Sequence, residues 1–323
     1  YDVLAVAVSP SYVTDTAIVA VVTDTVGTVV RTKKVDVANW DVAIRDATIQ
    51  DQGGFNFVSY RACIGLPDDY EAAYGSTTIR LYVGLSAAGP LGDVFFIQWA
   101  GWPAVPNSPG DYDLDIRGLA GASDPSETNI WSMAVSGTSI LTNLVVGTEA
   151  LDTAALPAPP GQFLVYTSSN SGGNWSPNSG DYLNCKQPTG QTRATVVKAS
   201  IIAYAGTCGG QSAVSASFSS DSTGGGFSSW NQHGLIDTVI DETTDMVPSP
   251  DYFSDGTMYI TTYDMADGNS SLWRTQMEGR IWDRIYCSTL INTSCIFDMV
   301  RLADGAIVLA QSGGTAMVPS FDS

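Results

Sequence analysis

The stretch Ser249–Trp282, SPDYFSDGTMYITTYDMADGNSSLWRTQMEGRIW, constrains the fold more than any other part of the sequence. Two turn signals open it: Ser249-Pro250-Asp251-Tyr252, where Pro250 fixes φ, and Ser254-Asp255-Gly256. Thr257–Tyr263 then alternates with the two-residue period of a strand, Asp267-Gly268-Asn269 turns the chain back, and Leu272-Trp273-Arg274-Thr275 forms the next strand. Trp282 follows as an aromatic placed to cover the edge of the unit. The segment reads as one complete repeat, and the rest of the chain as variations on it.

The opening motif returns at Ser9-Pro10-Ser11-Tyr12 with Asp15, and more loosely at Leu66-Pro67-Asp68-Asp69-Tyr70. Strands are expected at Val3–Val8, Ala17–Val22, Val29–Thr32, Phe57–Ile64, Ile79–Leu85, Val94–Trp99, Ile130–Ser136, Asn143–Thr148, Phe163–Thr167, Val196–Tyr204, Val214–Phe218, Cys295–Leu302 and Ile307–Ala310. Between Gly101 and Asp115 the sequence reads as an irregular Pro/Gly/Asp loop. Ser168-Ser169-Asn170-Ser171-Gly172-Gly173-Asn174-Trp175 is a second recurring signature, a Ser-x-Asp-x-Gly-x-x-Trp box with Asn170 in place of Asp. Degenerate forms follow at Ser219 to Phe227 and at Thr275 to Trp282.

These units resemble the BNR (Asp-box) repeats of sialidase-like β-propellers. The resemblance implies an all-β chain: a β-propeller of four-stranded antiparallel blades, about six, with seven as the alternative, the last incomplete in this chain. A single domain, 1–323, would divide into blades near 1–50, 51–125, 126–190, 191–240, 241–290 and 291–323, a period of ~50–70 residues. Ser320-x-Asp322 is the first half of another box, so the expectation is that further sequence, a partner chain or the N-terminal strand completes the ring. In the family the boxes are turn devices away from the active site.

Charge narrows the function classes. Asp and Glu outnumber Lys and Arg by 33 to 14, which leaves no basic footprint for DNA or RNA. No apolar run is long enough to span a membrane, and an acidic surface suits a secreted or cell-surface protein. Three N-glycosylation sequons, at Asn174, Asn269 and Asn292, fall in expected turns and agree with that setting. Of five cysteines, Cys185 with Cys208 and Cys287 with Cys295 bracket strand pairs or turns and are the expected disulfides, leaving Cys63 over.

Catalytic patterns are sparse. Sialidase-like enzymes hold their substrate with three arginines, and none of the ten here lies in an Arg-Ile-Pro signature; Tyr60-Arg61 is the nearest imitation. A Ser-His-Asp triad would need His233, the sole histidine. No catalytic residues and no cofactor are expected. Asp111, Asp113 and Asp115, and Asp264 with Asp267, group hard oxygens as Ca²⁺ prefers and are candidate cation ligands. Trp99, Trp102, Tyr112 and Trp230 are candidates for a glycan platform. The leading expectation is an extracellular, self-assembling structural protein, the homo-oligomeric subunit of an S-layer, sheath or filament. The alternative is a secreted carbohydrate-binding or glycosidase-like propeller.

Overall fold

The computed structural model describes residues 1–40, 47–50, 56–71, 78–88, 91–100, 110–114, 129–148, 165–173, 175–177, 194–198, 202–206, 214–218, 231–233, 242–249, 251–264, 268–276, 281–288, 296–301 and 305–311. Between 99 and 113, and between 194 and 233, the description is of the backbone alone. The described chain is nearly all β, in six antiparallel sheets whose strands pair with their sequence neighbours, as short turns dictate.

Sheet one comprises β1 (Asp2–Val8), β2 (Ala17–Thr23), β3 (Thr28–Lys34) and β4 (Ala47–Ile49). Sheet two comprises β5 (Ser59–Gly65), β6 (Thr78–Ala87), β7 (Val94–Ala100) and β8 (Gly110–Asp113). Sheet three runs through β9 (Ile130–Gly137), β10 (Thr142–Thr148), β11 (Val165–Ser168) and β12 (Ser176–Pro177). Sheet four runs through β13 (Ala194–Lys198), β14 (Ile202–Gly206), β15 (Val214–Phe218) and β16 (Asn231–His233). Sheet five holds β17 (Glu242–Pro248), β18 (Met258–Asp264), β19 (Asn269–Thr275) and β20 (Asp283–Cys287), and sheet six β21 (Ile296–Arg301) and β22 (Ile307–Gln311).

The chain divides into two compact units, the first holding sheets one to three and the second sheets four to six. Within the first, β1 lies along β5 and β5 along β9; within the second, β13 lies along β17 and β17 along β21. Sheets therefore stack through successive first strands. Val19, Val21, Val30 and Ile49 of sheet one meet Leu81, Val83, Phe95 and Ile97 of sheet two in one core. Tyr259 and Leu272 of sheet five meet Ile296, Met299, Ile307 and Leu309 of sheet six.

The two Ser-Pro-x-Tyr-x-x-Asp motifs fold alike. Each joins the first strand of its sheet to the second through one helical turn, α1 (Tyr12–Asp15) and α2 (Tyr252–Asp255). Ser9 Oγ donates to Asp15 Oδ2 at 2.7 Å, while Asp15 Oδ1 accepts the Ala17 N–H at 2.9 Å. Ser249 Oγ donates to Asp255 Oδ2 at 2.9 Å, and Asp255 Oδ1 accepts the Thr257 N–H at 2.8 Å. In both, the second residue after the serine donates its N–H to the serine Oγ at 3.1 Å. The motif is a corner clip. The box at Ser168 is likewise a turn: Ser168 Oγ accepts the Gly172 N–H at 2.9 Å, and Trp175 Nε1 donates to Leu114 O at 3.0 Å, tying sheet three to the end of sheet two.

Four expectations need correction. Ser249–Trp282 holds two strands of its sheet rather than a whole unit. Its first strand precedes it, concealed because Glu-Thr-Thr-Asp-Met-Val-Pro lacks clean alternation, and β20 follows Trp282. Val196–Tyr204 is the hairpin of β13 and β14, since no Gly or Pro marks the break. Gly110–Asp113, inside the expected irregular loop, is the edge strand β8. The two expected turns at Ser249 and Ser254 are also one device, α2.

Candidate binding site

A β-bulge recurs near the start of the first strand in five of the sheets. Pairing skips Leu4 in β1, Tyr60 in β5, Trp131 in β9, Thr244 in β17 and Phe297 in β21. A bulge puts two residues opposite one and re-aims the extra side chain, so the ends of these strands present residues that simple alternation would misplace.

In the first unit the bulges bring together an aromatic and polar cluster. Tyr60 is 54% exposed. Asn129 Nδ2 donates to Tyr60 Oη at 2.8 Å, and Asn129 Oδ1 accepts the Ala87 N–H at 3.0 Å, so the amide anchors the phenol to the second strand of sheet two. Beside it, the Arg61 guanidinium carbon sits 3.5 Å from the centre of the Trp131 ring, a cation–π stack that binds sheet two to sheet three. Ser86 Oγ donates to Ile130 O at 2.8 Å and fixes the same seam.

Tyr60 also walls a groove of about 700 Å³ shared with Asp2, Leu4, Thr23, Asp24 and Val58. This falls within the roughly 300–1,000 Å³ of small-ligand sites. Asp24 Oδ1 accepts the N–H groups of Val26 at 2.7 Å and Gly27 at 3.0 Å. Those two donors, Val26 first, hold its carboxyl below the usual carboxylate range. A groove walled by an exposed aromatic and carboxylates can stack a flat apolar face on Tyr60 and accept hydrogen bonds from hydroxyls at Asp2 and Asp24, while Asn129 and the Arg61–Trp131 stack hold the tyrosine from behind.

The residues picked from sequence fare unevenly. Asp111 and Asp113 lie on β8 opposite Ile97 and Phe95, which puts the pair at alternate positions of one strand; Asp115 and Asp267 lie outside the described residues. Asp264 closes the β18–β19 hairpin opposite Asn269. Among the described residues no group of three or more His, Cys, Asp or Glu side chains is placed to hold a metal ion. Asn269 is half-buried at that hairpin, while Asn174 and Asn292 lie outside the description. Cys287 is an exposed free thiol at the end of β20, and its expected partner Cys295 lies outside the described residues, as do Cys185 and Cys208.

Cys63 is also a free thiol. Burial pushes it up to about 12, so it stays protonated and inert at neutral pH. Trp102 and Trp230 lie outside the described residues, and Trp99 and Tyr112 are described by backbone alone. The described arginines do not form a three-arginine cradle within either unit: Arg80 donates to Ser139 O at 2.7 Å, Arg31 covers Tyr1, and Arg284 covers Trp273. Reading the sequence for alternation missed the Tyr60–Trp131 cluster; the adjacent Tyr60-Arg61 pair was the available signal.

No family model matches the chain, and no curated protein matches it. The BNR resemblance therefore rests on the motif residues. Solved structures do share the fold. The GH74 xyloglucanase from Xanthomonas campestris matches with a TM-score of 0.53 and 14% identity over 87% of this chain and 38% of its own. The extracellular domain of a hybrid two component system from B. thetaiotaomicron matches with a TM-score of 0.51 and 10% identity over 99% of this chain and 33% of its own. Sqt1 from Chaetomium thermophilum, bound to the N-terminus of ribosomal protein L10, matches with a TM-score of 0.55 and 13% identity over 100% of this chain and 71% of its own. The chain thus spans between a third and two fifths of the first two proteins, and the likeness is one of fold: an all-β, propeller-like stack of antiparallel sheets. Among the described residues no helix is long and apolar enough to cross a membrane.

Proposed function

We propose that this chain is an extracellular carbohydrate-binding propeller without catalytic activity, its six sheets being blades of the BNR type and its glycan site the groove beside Tyr60. The observation that carries the reading is the exposed Tyr60 ring anchored by Asn129 next to the Arg61–Trp131 stack. Sugars present alternating apolar faces and hydroxyl edges, and an amphipathic ring beside convergent donors meets both.

The test is binding to an array of neutral and acidic polysaccharides, followed by calorimetry on the best ligand. Tyr60→Ala is expected to weaken binding about tenfold, as loss of an interface aromatic commonly does, with the fold unchanged by circular dichroism. Binding to no glycan, or equal binding by the variant, would overturn the assignment.

A second reading, self-association as in a layer or filament, is favoured by the outer face of sheet one. Val3, Val6 and Val8 are 63%, 59% and 56% exposed there. With Ile18, Ala20, Val22 and Trp40, the first two of these border a further groove of about 410 Å³, and Arg31 stands at its side. An apolar face carrying a cation, on a chain of net charge −19, suits an acidic partner, and a second copy is such a partner.

A further inference from the structure

The bulge in β17 carries a different device from those of the first unit. Asp245, the residue after it, reaches across to the next sheet: its Oδ2 accepts the Met299 N–H at 2.8 Å, while Oδ1 accepts the Met246 N–H at 2.8 Å. The residue after the bulge in β21 is Asp298, whose exposed side chain comes within hydrogen-bonding reach of Asp245 where the first strands of sheets five and six lie side by side. Thr261 stands opposite Asp245 on β18, and Thr244 Oγ1 donates to Thr261 Oγ1 at 2.8 Å. Among the described side chains Asp298 is the charged group facing Asp245, with none on β18; Glu242, Lys198 of β13 and Arg301 are described by backbone alone.

We propose that Asp245 and Asp298 share a proton and form a pH-sensitive catch between sheets five and six, closed while the pair holds that proton and loosened once both ionise. Two carboxylates this close cannot both carry charge cheaply, and Asp245 is anchored by two backbone donors and cannot swing away. Burial first, and then the negative charge of Asp298, push the Asp245 carboxyl up to about 7, against the opposing pull of the Met299 and Met246 N–H groups. In the unfolded chain the same carboxyl titrates near 4. The folded state therefore holds a proton that the unfolded state has lost. The catch contributes fully below about pH 4, and its contribution is lost as pH rises through about 7.

The chain suits the measurement, because it contains one histidine, His233, and few other groups titrate between pH 6 and 8. Denaturant unfolding at the two pH values should show the folding equilibrium constant falling about tenfold, with faster exchange of the Met299 amide at the higher pH. Asp298→Asn removes the facing negative charge and should diminish both changes, the part due to burial of Asp245 remaining, while His233→Gln should preserve them in full. Asp245→Asn would also lose a backbone acceptor, so Asp298→Asn carries the test. Equal wild-type stability at pH 6 and 8, or an undiminished drop in Asp298→Asn, overturns the proposal.

Discussion

At the residue scale, the paired corner clips set up an internal comparison. After α1 the chain passes through Thr16 at φ 52°, and after α2 through Gly256 at φ 60°. Both donate their N–H to the tyrosine carbonyl four residues back, at 2.8 and 2.7 Å. A β-branched residue in the left-handed region costs about 1–2 kcal/mol, whereas glycine costs roughly 0.5–1 kcal/mol in unfolded-chain entropy. The hydrogen bond from Thr16 Oγ1 to Asp36 Oδ1 is exposed and long at 3.3 Å, too weak to reverse the balance. Thr16→Gly is therefore expected to stabilise the protein by about 0.5–1 kcal/mol in urea unfolding, and Gly256→Thr to destabilise it by a similar amount. A Thr16→Gly variant that loses stability would mean the clip does not impose this backbone.

At the element scale, packing of sheet three on sheet two depends on missing side chains. A Cβ built on Gly84 of β6 would lie 2.5 Å from Ile130 Cγ2 and 2.7 Å from Cys63 Sγ. Ile130, fully buried, and Cys63, half-buried, belong to the first strands of adjacent sheets, so an added methyl must push the seam apart. Overpacking of this kind costs about 1–3 kcal/mol, so Gly84→Ala should lower the urea midpoint with an unchanged m-value; an unaltered midpoint would show that the seam is looser than its geometry. The same scale explains what the sequence disclosed. β2 was legible as an apolar run between turn signals, and β18 by its β-branched and aromatic residues set between Gly256 and the Asp267-Gly268 turn. β17 was not, since its bulge after Thr243 shifts the alternation and its acids look like loop. The candidate site failed to show for the same reason: alternation assigns Tyr60 and Trp131 to faces, and the bulges move both. Asn129 could not be foreseen either, because its partners Tyr60 and Ala87 are distant in sequence and meet only when sheets two and three stack.

At the scale of the whole molecule, two tendencies oppose each other. A net charge of −19 favours dispersal, while sheet one exposes valines on a face whose partner strand β2 is apolar on both sides. β2 reads Ala-Ile-Val-Ala-Val-Val-Thr, with every residue except Ile18 buried; Val19 and Val21 serve the core with sheet two, and Ala20 and Val22 serve the outer groove. A second apolar face on a strand is what layered sheets carry when something covers them. At physiological ionic strength charge repulsion is screened beyond about 8 Å, so short-range apolar contact decides the outcome. Sedimentation at micromolar to hundred-micromolar protein should then show concentration-dependent association, and Val6→Asp should shift it towards monomer by about tenfold in dissociation constant. Val6 is an exposed edge-strand residue, so the substitution leaves the core of the first unit intact and thermal unfolding should be nearly unchanged. If the wild-type chain stays monomeric throughout and Val6→Asp instead unfolds at markedly lower temperature, the face is covered from within the chain, and the self-association reading falls.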